Sequence, residues 1–187
     1  MSKPQIRYLK EMISVVYDKN FAKKHPDLEL YYMYRGVNLE GGIRYDITVI
    51  PAQMLGKEFT RTKGNRNSDN LPELYTVLQG NAIFLMQKAK DSIVKQVIAV
   101  KAKKGDYILV SAEYAVVVIN PSNKELKLGN WVSNRNKNIY KELEKMGGAC
   151  YFYTINGWVK NKKYKKVPEI EFLKALKSKP KNLNFLK

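Results

Sequence analysis

The sequence predicts an all-β fold, either a barrel or a sandwich, from three observations. Short runs rich in Val, Ile, Tyr and Thr recur along the chain, each about as long as one strand. Turn-forming Gly, Pro and Asn residues separate these runs at short intervals, which differs from the strand–helix alternation of an α/β fold. The 187 residues fit one domain with a tail, long enough to bury a core without disulfides or metal.

The strand pattern covers the middle of the chain. Predicted strands occupy residues 28–34, 43–50, 56–62, 74–78, 82–87, 93–101, 107–110, 115–119, 126–132, 150–155 and 158–160. The wholly apolar run at 115–119 is typical of a strand buried on both faces. The Gln79-Gly80-Asn81 turn predicts a hairpin between the strands that flank it, and Asn156-Gly157 predicts a second hairpin with a type I′ turn.

Helices are predicted only near the ends of this strand-rich region. Over residues 4–22, Pro4 suits a first helical turn and apolar residues recur on one helical face. One or two helical turns are expected at 140–146, and Pro168 is expected to open a short last helix before a frayed basic tail at 178–187. The resulting division is an N-terminal helix and connector at 1–27, a barrel at 28–168, and a C-terminal helix and basic tail at 169–187.

The charge is strongly basic and unevenly distributed. The net charge is +17, and the last 53 residues, from Arg135 onward, hold 14 Lys or Arg against 4 Asp or Glu. Such an excess indicates partners rather than fold, and a polyanion such as RNA, DNA or a ribosome is the obvious class. The alternative interpretation is a lysine-rich solvated surface in a lineage with biased composition.

The chain is expected to be cytoplasmic and to have no membrane partner. Its N-terminus lacks the apolar region of a signal peptide, and no apolar run approaches the ~20 residues that span a bilayer. The single cysteine, Cys150, excludes an intrachain disulfide and fits a reducing compartment, where we expect it to act as a small buried hydrophobe.

A polar turn between two predicted strands is the candidate site. Asn65 and Asn67 lie two apart and therefore point the same way, and Glu73 follows on the next strand. In a small barrel these three side chains would face the interior. Histidines at the two asparagine positions would have indicated a metal site.

Short motifs surround this turn in a fixed order. They are Thr48-Val49-Ile50, Gly56-Lys57-Glu58-Phe59, Thr62-Lys63-Gly64-Asn65-Arg66-Asn67, Glu73-Leu74-Tyr75-Thr76-Val77-Leu78-Gln79-Gly80, Gly105-Asp106, Tyr114-Ala115-Val116, Asn136-Lys137-Asn138, Gly147-Gly148, Asn156-Gly157 and Val167-Pro168. With these motifs the chain resembles the cupin-type phosphoglucose isomerases over roughly residues 30–168. The resemblance implies a cupin, which is a double-stranded β-helix or jelly-roll barrel, and a homodimer.

The resemblance also implies a metal site that this chain has lost. The three metal-binding histidines of the family fall on Asn65, Asn67 and Val116, and the fourth ligand falls on Glu73. A further active-site histidine falls on Asn138. One carboxylate with two amides is a poor site for a divalent transition metal, so no metal and no other cofactor is expected. Glu73 would be catalytic, as a base, only if the protein is active.

The sugar-phosphate positions of the family are kept. They fall on Thr48, Thr62, Gly64 and Tyr75, and Tyr140 matches a later pocket tyrosine. Hydroxyls and a backbone N–H can hold a phosphate, with Lys63 or Arg66 adding charge. Thr and Tyr also suit strands without any ligand.

Three functions stay open from the sequence. The first is a metal-free, inactive cupin that binds RNA or a ribonucleoprotein through its basic surface. The second is a sugar-phosphate sensor, and the third is a glucose-6-phosphate isomerase with a remodelled site around Glu73. The residues expected to contact nucleic acid are Lys160, Lys162, Lys163, Lys165, Lys166, Lys177, Lys179 and Lys181.

Overall fold

The computed structural model describes residues 3–187, so the first two residues of the predicted 1–27 segment lie outside it. Sixteen strands occupy about half of the described chain: β1 Gln5–Tyr8, β2 Glu29–Glu40, β3 Ile43–Ile50, β4 Met54–Leu55, β5 Glu58–Phe59, β6 Arg66–Asn67, β7 Glu73–Gln79, β8 Asn81–Lys90, β9 Ile93–Lys103, β10 Tyr107–Val110, β11 Ala115–Ile119, β12 Leu126–Ser133, β13 Asn138–Ile139, β14 Tyr151–Thr154, β15 Gly157–Lys160 and β16 Glu171–Lys174. The α-helices are α1 Lys19–Lys24 and α2 Lys141–Lys145, and 3₁₀ turns lie at Leu9–Met12, Ser68–Asn70 and Asn184–Leu186.

Two sheets face each other and close the barrel. The larger has the order β1-β2-β3-β12-β7-β10, and the smaller has the order β11-β8-β9-β16. Two further sheets, β15-β14-β5-β4 and β13-β6, cover one side and one end. The predicted all-β jelly-roll barrel is therefore confirmed.

The core lies both inside the barrel and behind its smaller sheet. Alternate residues of β8 and β11, such as Phe84 and Val118, pack inside the barrel, while their neighbours Leu85 and Val117 pack outward against α2 and β14. The 115–119 strand is thus buried on both faces, as predicted. Cys150 lies in the outer cluster, where burial raises the pKa of its thiol to about 12 and keeps it protonated.

The predicted hairpin at Gly80 is wrong, because β7 and β8 belong to different sheets. Gly80 instead forms a corner at which the chain passes from one sheet to the other. Its φ is +80°, and an added Cβ would lie 2.5 Å from the carbonyl oxygen of Glu125, so only glycine fits this close approach. The second predicted hairpin does form, because β14 and β15 pair antiparallel, with Thr154 opposite Gly157. Its predicted type I′ turn is wrong, since the loop residues are Ile155 and Asn156 and neither has the positive φ that this turn requires.

The predicted N-terminal helix over 4–22 is also wrong. The segment forms β1, which pairs antiparallel with β2, then a 3₁₀ turn at Leu9–Met12, and only later the short α1. Leu9, Met12 and Val16 are still buried. Apolar residues three apart also face one way on a 3₁₀ turn, and the ladder with β2 satisfies backbone groups that a helix would otherwise pair.

The C-terminal segment also forms a strand where a helix was predicted. Instead of a short helix after Pro168, β16 pairs in parallel with β9. The following tail is not frayed, because Leu176 pairs with Tyr107, Lys179 lies 4.4 Å from the centre of the Trp131 ring, and Leu186 is fully buried.

We predict that Leu186→Ala lowers the free energy of unfolding by about 2–3 kcal/mol, since it removes a fully buried side chain that holds the tail. Urea titration measures the change as a shift in midpoint. The neighbouring Phe185→Ala, at a side chain 42% exposed, is the control and should cost well under half as much. Equal effects would show that the tail does not dock through Leu186.

Candidate functional site

A polar pocket lies inside the barrel, beside the turn that the sequence singled out. It is lined by Tyr31, Met33, Arg35, Arg44, Thr48, Thr62, Gly64, Asn65, Glu73, Tyr75, Val116, Val118, Leu128, Asn130, Val132, Asn136, Asn138 and Tyr140. The five predicted sugar-phosphate residues all line this one pocket. Its free volume is about 40 Å³, which holds only a few water molecules.

The turn is tied to β11 by backbone hydrogen bonds. The Thr62 N–H donates to the Val118 carbonyl (2.9 Å), and the Val116 N–H donates to the Asn65 carbonyl (2.9 Å). The Thr62 hydroxyl also accepts from the Val118 N–H at 3.0 Å. Gly64 has φ +84°, and an added Cβ would lie 2.6 Å from a methyl carbon of Val117. Any other residue here would push the turn off the strand.

The asparagines form a connected row across the pocket mouth. The side-chain oxygen of Asn67 accepts from the amides of Asn65 (3.2 Å) and Asn136 (3.1 Å). Asn136 also donates to Asn138, whose amide donates to the Tyr140 hydroxyl at 3.2 Å. The strands β6 and β13 hold this row in register by pairing Asn67 with Asn138. The side chains of this row therefore form hydrogen bonds with one another.

The residues at the implied metal positions do not fit a divalent transition metal. Val116 supplies no donor, and the Asn67 oxygen already accepts two hydrogen bonds. Glu73 accepts from the Asn130 amide at 3.1 Å. Within residues 3–187, no three His, Cys, Asp or Glu side chains come together as a metal ligand group. Imidazole nitrogen, which such metals prefer, is missing from this donor set.

Among the described residues, Glu73 is the one carboxylate that lines the pocket, and its pKa is strongly changed. Burial raises its pKa from 4.5 to about 7, while the Tyr75 hydroxyl, the Asn130 amide and the charge of Arg35 offset part of that rise. The side chain is 4% exposed. A carboxyl with a pKa near neutrality has the right value for a general base, but it is protonated in about half of the molecules at pH 7.

Two arginines of the pocket wall, Arg35 and Arg44, and the buried aspartate that they share were missed by sequence reasoning. Asp46 is 1% exposed and accepts from Arg35 (2.8 Å), from Arg44 (3.0 Å) and from the Gly36 N–H (2.7 Å). A usable signal was present, because Arg44 and Asp46 alternate with Thr48 on one strand and therefore share its inward face. Arg35 gives one Nη and Arg44 gives its Nε to the same carboxylate, so each guanidinium keeps further N–H donors.

The N-terminal strand packs against two tyrosines of the pocket wall. The guanidinium of Arg7 lies 5.7 Å from the centre of the Tyr140 ring and 6.0 Å from that of Tyr31. Among the described residues, its Nε is the one buried side-chain nitrogen or oxygen without a hydrogen-bond partner. The sequence did not indicate this position of Arg7.

The two cations of the turn are paired with carboxylates, although the Lys63 ammonium also lies 5.2 Å from the centre of the Tyr140 ring at the pocket wall. Lys63 pairs with Glu144 at 2.6 Å, and Arg66 pairs with Glu142 at 2.7 Å, both acids of α2. In this arrangement they do not supply the charge-assisted phosphate bonds expected of them.

The predicted nucleic-acid residues fall into separate regions. Lys162, Lys163, Lys165 and Lys166 lie on one exposed loop. Lys160 lies on β15 and pairs with Glu169 at 2.6 Å. The lysines of the tail lie along the larger sheet, where Lys177 pairs with Asp106, Lys179 covers Trp131 and Lys181 follows on an exposed stretch.

The two facing sheets around a polar pocket define the class of protein as a cupin. A family model described as Glucose-6-phosphate isomerase (GPI) matches residues 13–169. The chain therefore belongs to the glucose-6-phosphate isomerase family, as its motifs predicted. The comparison with curated proteins gave no match.

Some solved structures are similar to this chain, at low identity and with TM-scores below 0.5. The oxalate decarboxylase formate complex of Lactobacillus farciminis is 13% identical, with a TM-score of 0.49 over 60% of this chain and 32% of that one. An oxalate oxidase bound to the substrate analogue glycolate is 10% identical, with a TM-score of 0.45 over 59% and 54%. Peruvianin-I, a cysteine peptidase from Thevetia peruviana latex, is 10% identical, with a TM-score of 0.43 over 73% and 65%. This chain spans less than two thirds of the length of each of these three, and their activities say nothing of its own.

No helix within residues 3–187 combines the length and the apolar character needed to cross a bilayer.

Proposed function

We propose that this chain is a metal-free, catalytically inactive member of the glucose-6-phosphate isomerase family that binds RNA, free or within a ribonucleoprotein such as the ribosome. One observation carries the proposal: three neighbouring segments bring seven lysines to one end of the barrel. We call these residues the lysine surface: Lys90, Lys141, Lys145, Lys162, Lys163, Lys165 and Lys166.

Contacts among the three segments support a continuous surface. The N–H groups of Lys165 and Lys166 donate to the Ser92 carbonyl at 2.9 and 3.4 Å, which joins the loop to the β8–β9 turn. The side chain of Lys163 lies beside Gly147, just past the end of α2. Lys145 of α2 lies 3.8 Å from Asp91 in the same β8–β9 turn.

The lysine surface has little opposing charge of its own. In the described part of the chain, Lys145 is the only one of the seven with a carboxylate within 4 Å. The two nearby acids of α2 are paired elsewhere, Glu142 with Arg66 and Glu144 with Lys63. Unpaired lysines that release counterions from a phosphate backbone favour polyanion binding.

The side chains and the small volume of the barrel pocket support the proposed lack of catalysis. Isomerisation needs a base and a group that polarises the carbonyl, with room for the sugar between them. Glu73 has a suitable pKa of about 7, but Asn65, Asn67 and Val116 do not fit a polarising metal and the free volume is about 40 Å³. Ligand pockets typically measure some 300–1,000 Å³.

The proposal is tested by filter binding of RNA over a range of salt concentrations. The variant carries Lys162, Lys163, Lys165 and Lys166 changed to Gln, and its matched control carries Lys19, Lys23, Lys24 and Lys57 changed to Gln, with the same loss of four exposed charges. We expect the variant to bind at least tenfold more weakly and to lower the salt slope by about 3, since each lost contact to single-stranded RNA removes about 0.7. The control should keep most of the wild-type affinity. Absence of binding at low salt, or equal effects of the two variants, would contradict the proposal.

A second candidate function is sugar-phosphate sensing in the barrel. It is favoured by the shared position of Thr48, Thr62, Gly64, Tyr75 and Tyr140 in one pocket. Fructose 6-phosphate at 100 times its Kd would add about 2.7 kcal/mol to the free energy of unfolding, which a thermal shift detects. No shift at millimolar ligand would remove this candidate, and a shift lost in Tyr75→Phe would support it.

A further inference from the structure

A groove separate from the barrel pocket lies within the lysine surface. Its volume is about 390 Å³, within the range of small-ligand sites. Its floor is apolar and is formed by Ala115, Leu143 and Met146, while the exposed Ala89 lies at its wall. The buried Gln87 and Tyr164 lie beneath, with their polar groups bonded to each other at 2.9 Å. The floor therefore holds no unsatisfied group that an apolar ring would have to displace.

The rim of the groove is charged, and its acids are mostly paired. Glu142 is held by Arg66 at 2.7 Å, Glu113 by Lys88, and Asp91 lies 3.8 Å from Lys145. Two further rim lysines, Lys90 and Lys141, have no carboxylate within 4 Å among the described residues. The uncompensated charge at this groove is positive, and it complements a phosphate.

We propose that the RNA bound by this chain is single-stranded and that one of its nucleotides sits in this groove. The base lies on the apolar floor, and its flanking phosphates contact Lys90 and Lys141. A duplex keeps its bases stacked and paired, so it can contact the lysines but cannot enter the groove. This inference rests on the proposed function, and it adds the form of RNA and the place where it is held.

The test fills the groove without changing charge. Ala89 lies on the exposed end of β8 at the groove wall, so Ala89→Trp occupies the groove, and the slightly smaller Ala89→Phe is made alongside it. Ala52→Trp, at an exposed position outside the groove, is the matched control. Each protein is titrated with a single-stranded RNA oligomer and with a duplex of equal phosphate count, and melting curves check the fold.

We expect both Ala89 variants to bind the single strand about tenfold more weakly, because the base loses its apolar contact with the floor, and to bind the duplex as the wild type does. Ala52→Trp should match the wild type on both. If the Ala89 variants bind the single strand as tightly as Ala52→Trp, or if the wild type prefers the duplex, the groove inference is overturned while RNA binding by the lysine surface stands. If no protein binds either RNA at low salt, the proposed function itself fails.

Discussion

Replacing Glu73 by glutamine is expected to abolish a pH-dependent loss of stability on the order of 3 kcal/mol. Burial raises the pKa of this carboxyl from 4.5 to about 7. Because the folded state holds the proton more tightly than the unfolded state, this residue favours folding fully below pH 4.5. That contribution is lost as the pH rises through 7, where the folded protein must bury the charge.

Urea titrations between pH 4.5 and 8.5 measure the effect. The wild type should lose stability across the window relative to Glu73→Gln, so that the two curves separate with pH. Glu125→Gln, at an exposed carboxylate, serves as the control and should follow the wild type. Parallel curves for wild type and Glu73→Gln would show that Glu73 titrates near its ordinary value and is not held in a closed pocket.

Asp46→Asn is expected to destabilise the protein by about 3 kcal/mol. The carboxylate is 1% exposed and holds Arg35 at 2.8 Å and Arg44 at 3.0 Å inside the barrel. Asparagine keeps the shape but leaves both guanidinium groups without their counter-charge, and removing one partner of a buried ion pair costs far more than removing an exposed one.

The matched control for this change is Asp27→Asn. Asp27 also pairs with a cation, Lys10 at 2.9 Å, but its side chain is 78% exposed. We expect Asp27→Asn to lower the free energy of unfolding by less than about 1 kcal/mol. Midpoints of urea unfolding compare the two variants directly. If Asp46→Asn lowers the free energy of unfolding no more than Asp27→Asn does, then water solvates the two arginines and the buried ion pair adds little stability.

The strands were the part of the fold that could be predicted most accurately from the sequence. The run from Ile43 to Ile50 and the run from Ala115 to Ile119 were predicted with the same bounds that the structure has. Both runs are continuous, rich in β-branched residues and closed by turn residues. Alternation and burial on both faces are local properties, and a single sequence contains them in full.

The errors arose where a distant partner decides the local structure. The apolar spacing near Leu9 suits a helix equally well, but β1 gains a ladder with β2 that lies some twenty residues away. Glu171–Lys174 likewise becomes a strand because β9 offers it a free edge. Gly80 was predicted to close a hairpin, since nothing local shows that β7 and β8 belong to different sheets.

Sequence reasoning predicted several of the inward-facing residues of the site but missed its charged pair. Asn65, Asn67 and Glu73 were placed at the pocket from strand parity and from the resemblance to the family, and they do line or border it. Arg35 and Asp46 were missed because charged residues rarely lie inside a barrel unless they pair. The lysine surface could not be assembled either, since its members come from three segments separated by up to 76 positions.

We propose that the lysine surface, and not the barrel pocket, carries the function. A titration followed by backbone amide NMR compares the two sites, with a single-stranded RNA oligomer added to one sample and fructose 6-phosphate added to a second. RNA is expected to shift the amides of residues 88–92, 141–147 and 161–167, while those of Thr48, Thr62 and Tyr75 stay unchanged in both samples. Shifts at Thr48, Thr62 and Tyr75 with fructose 6-phosphate, together with no RNA shifts at the lysine surface, would contradict it.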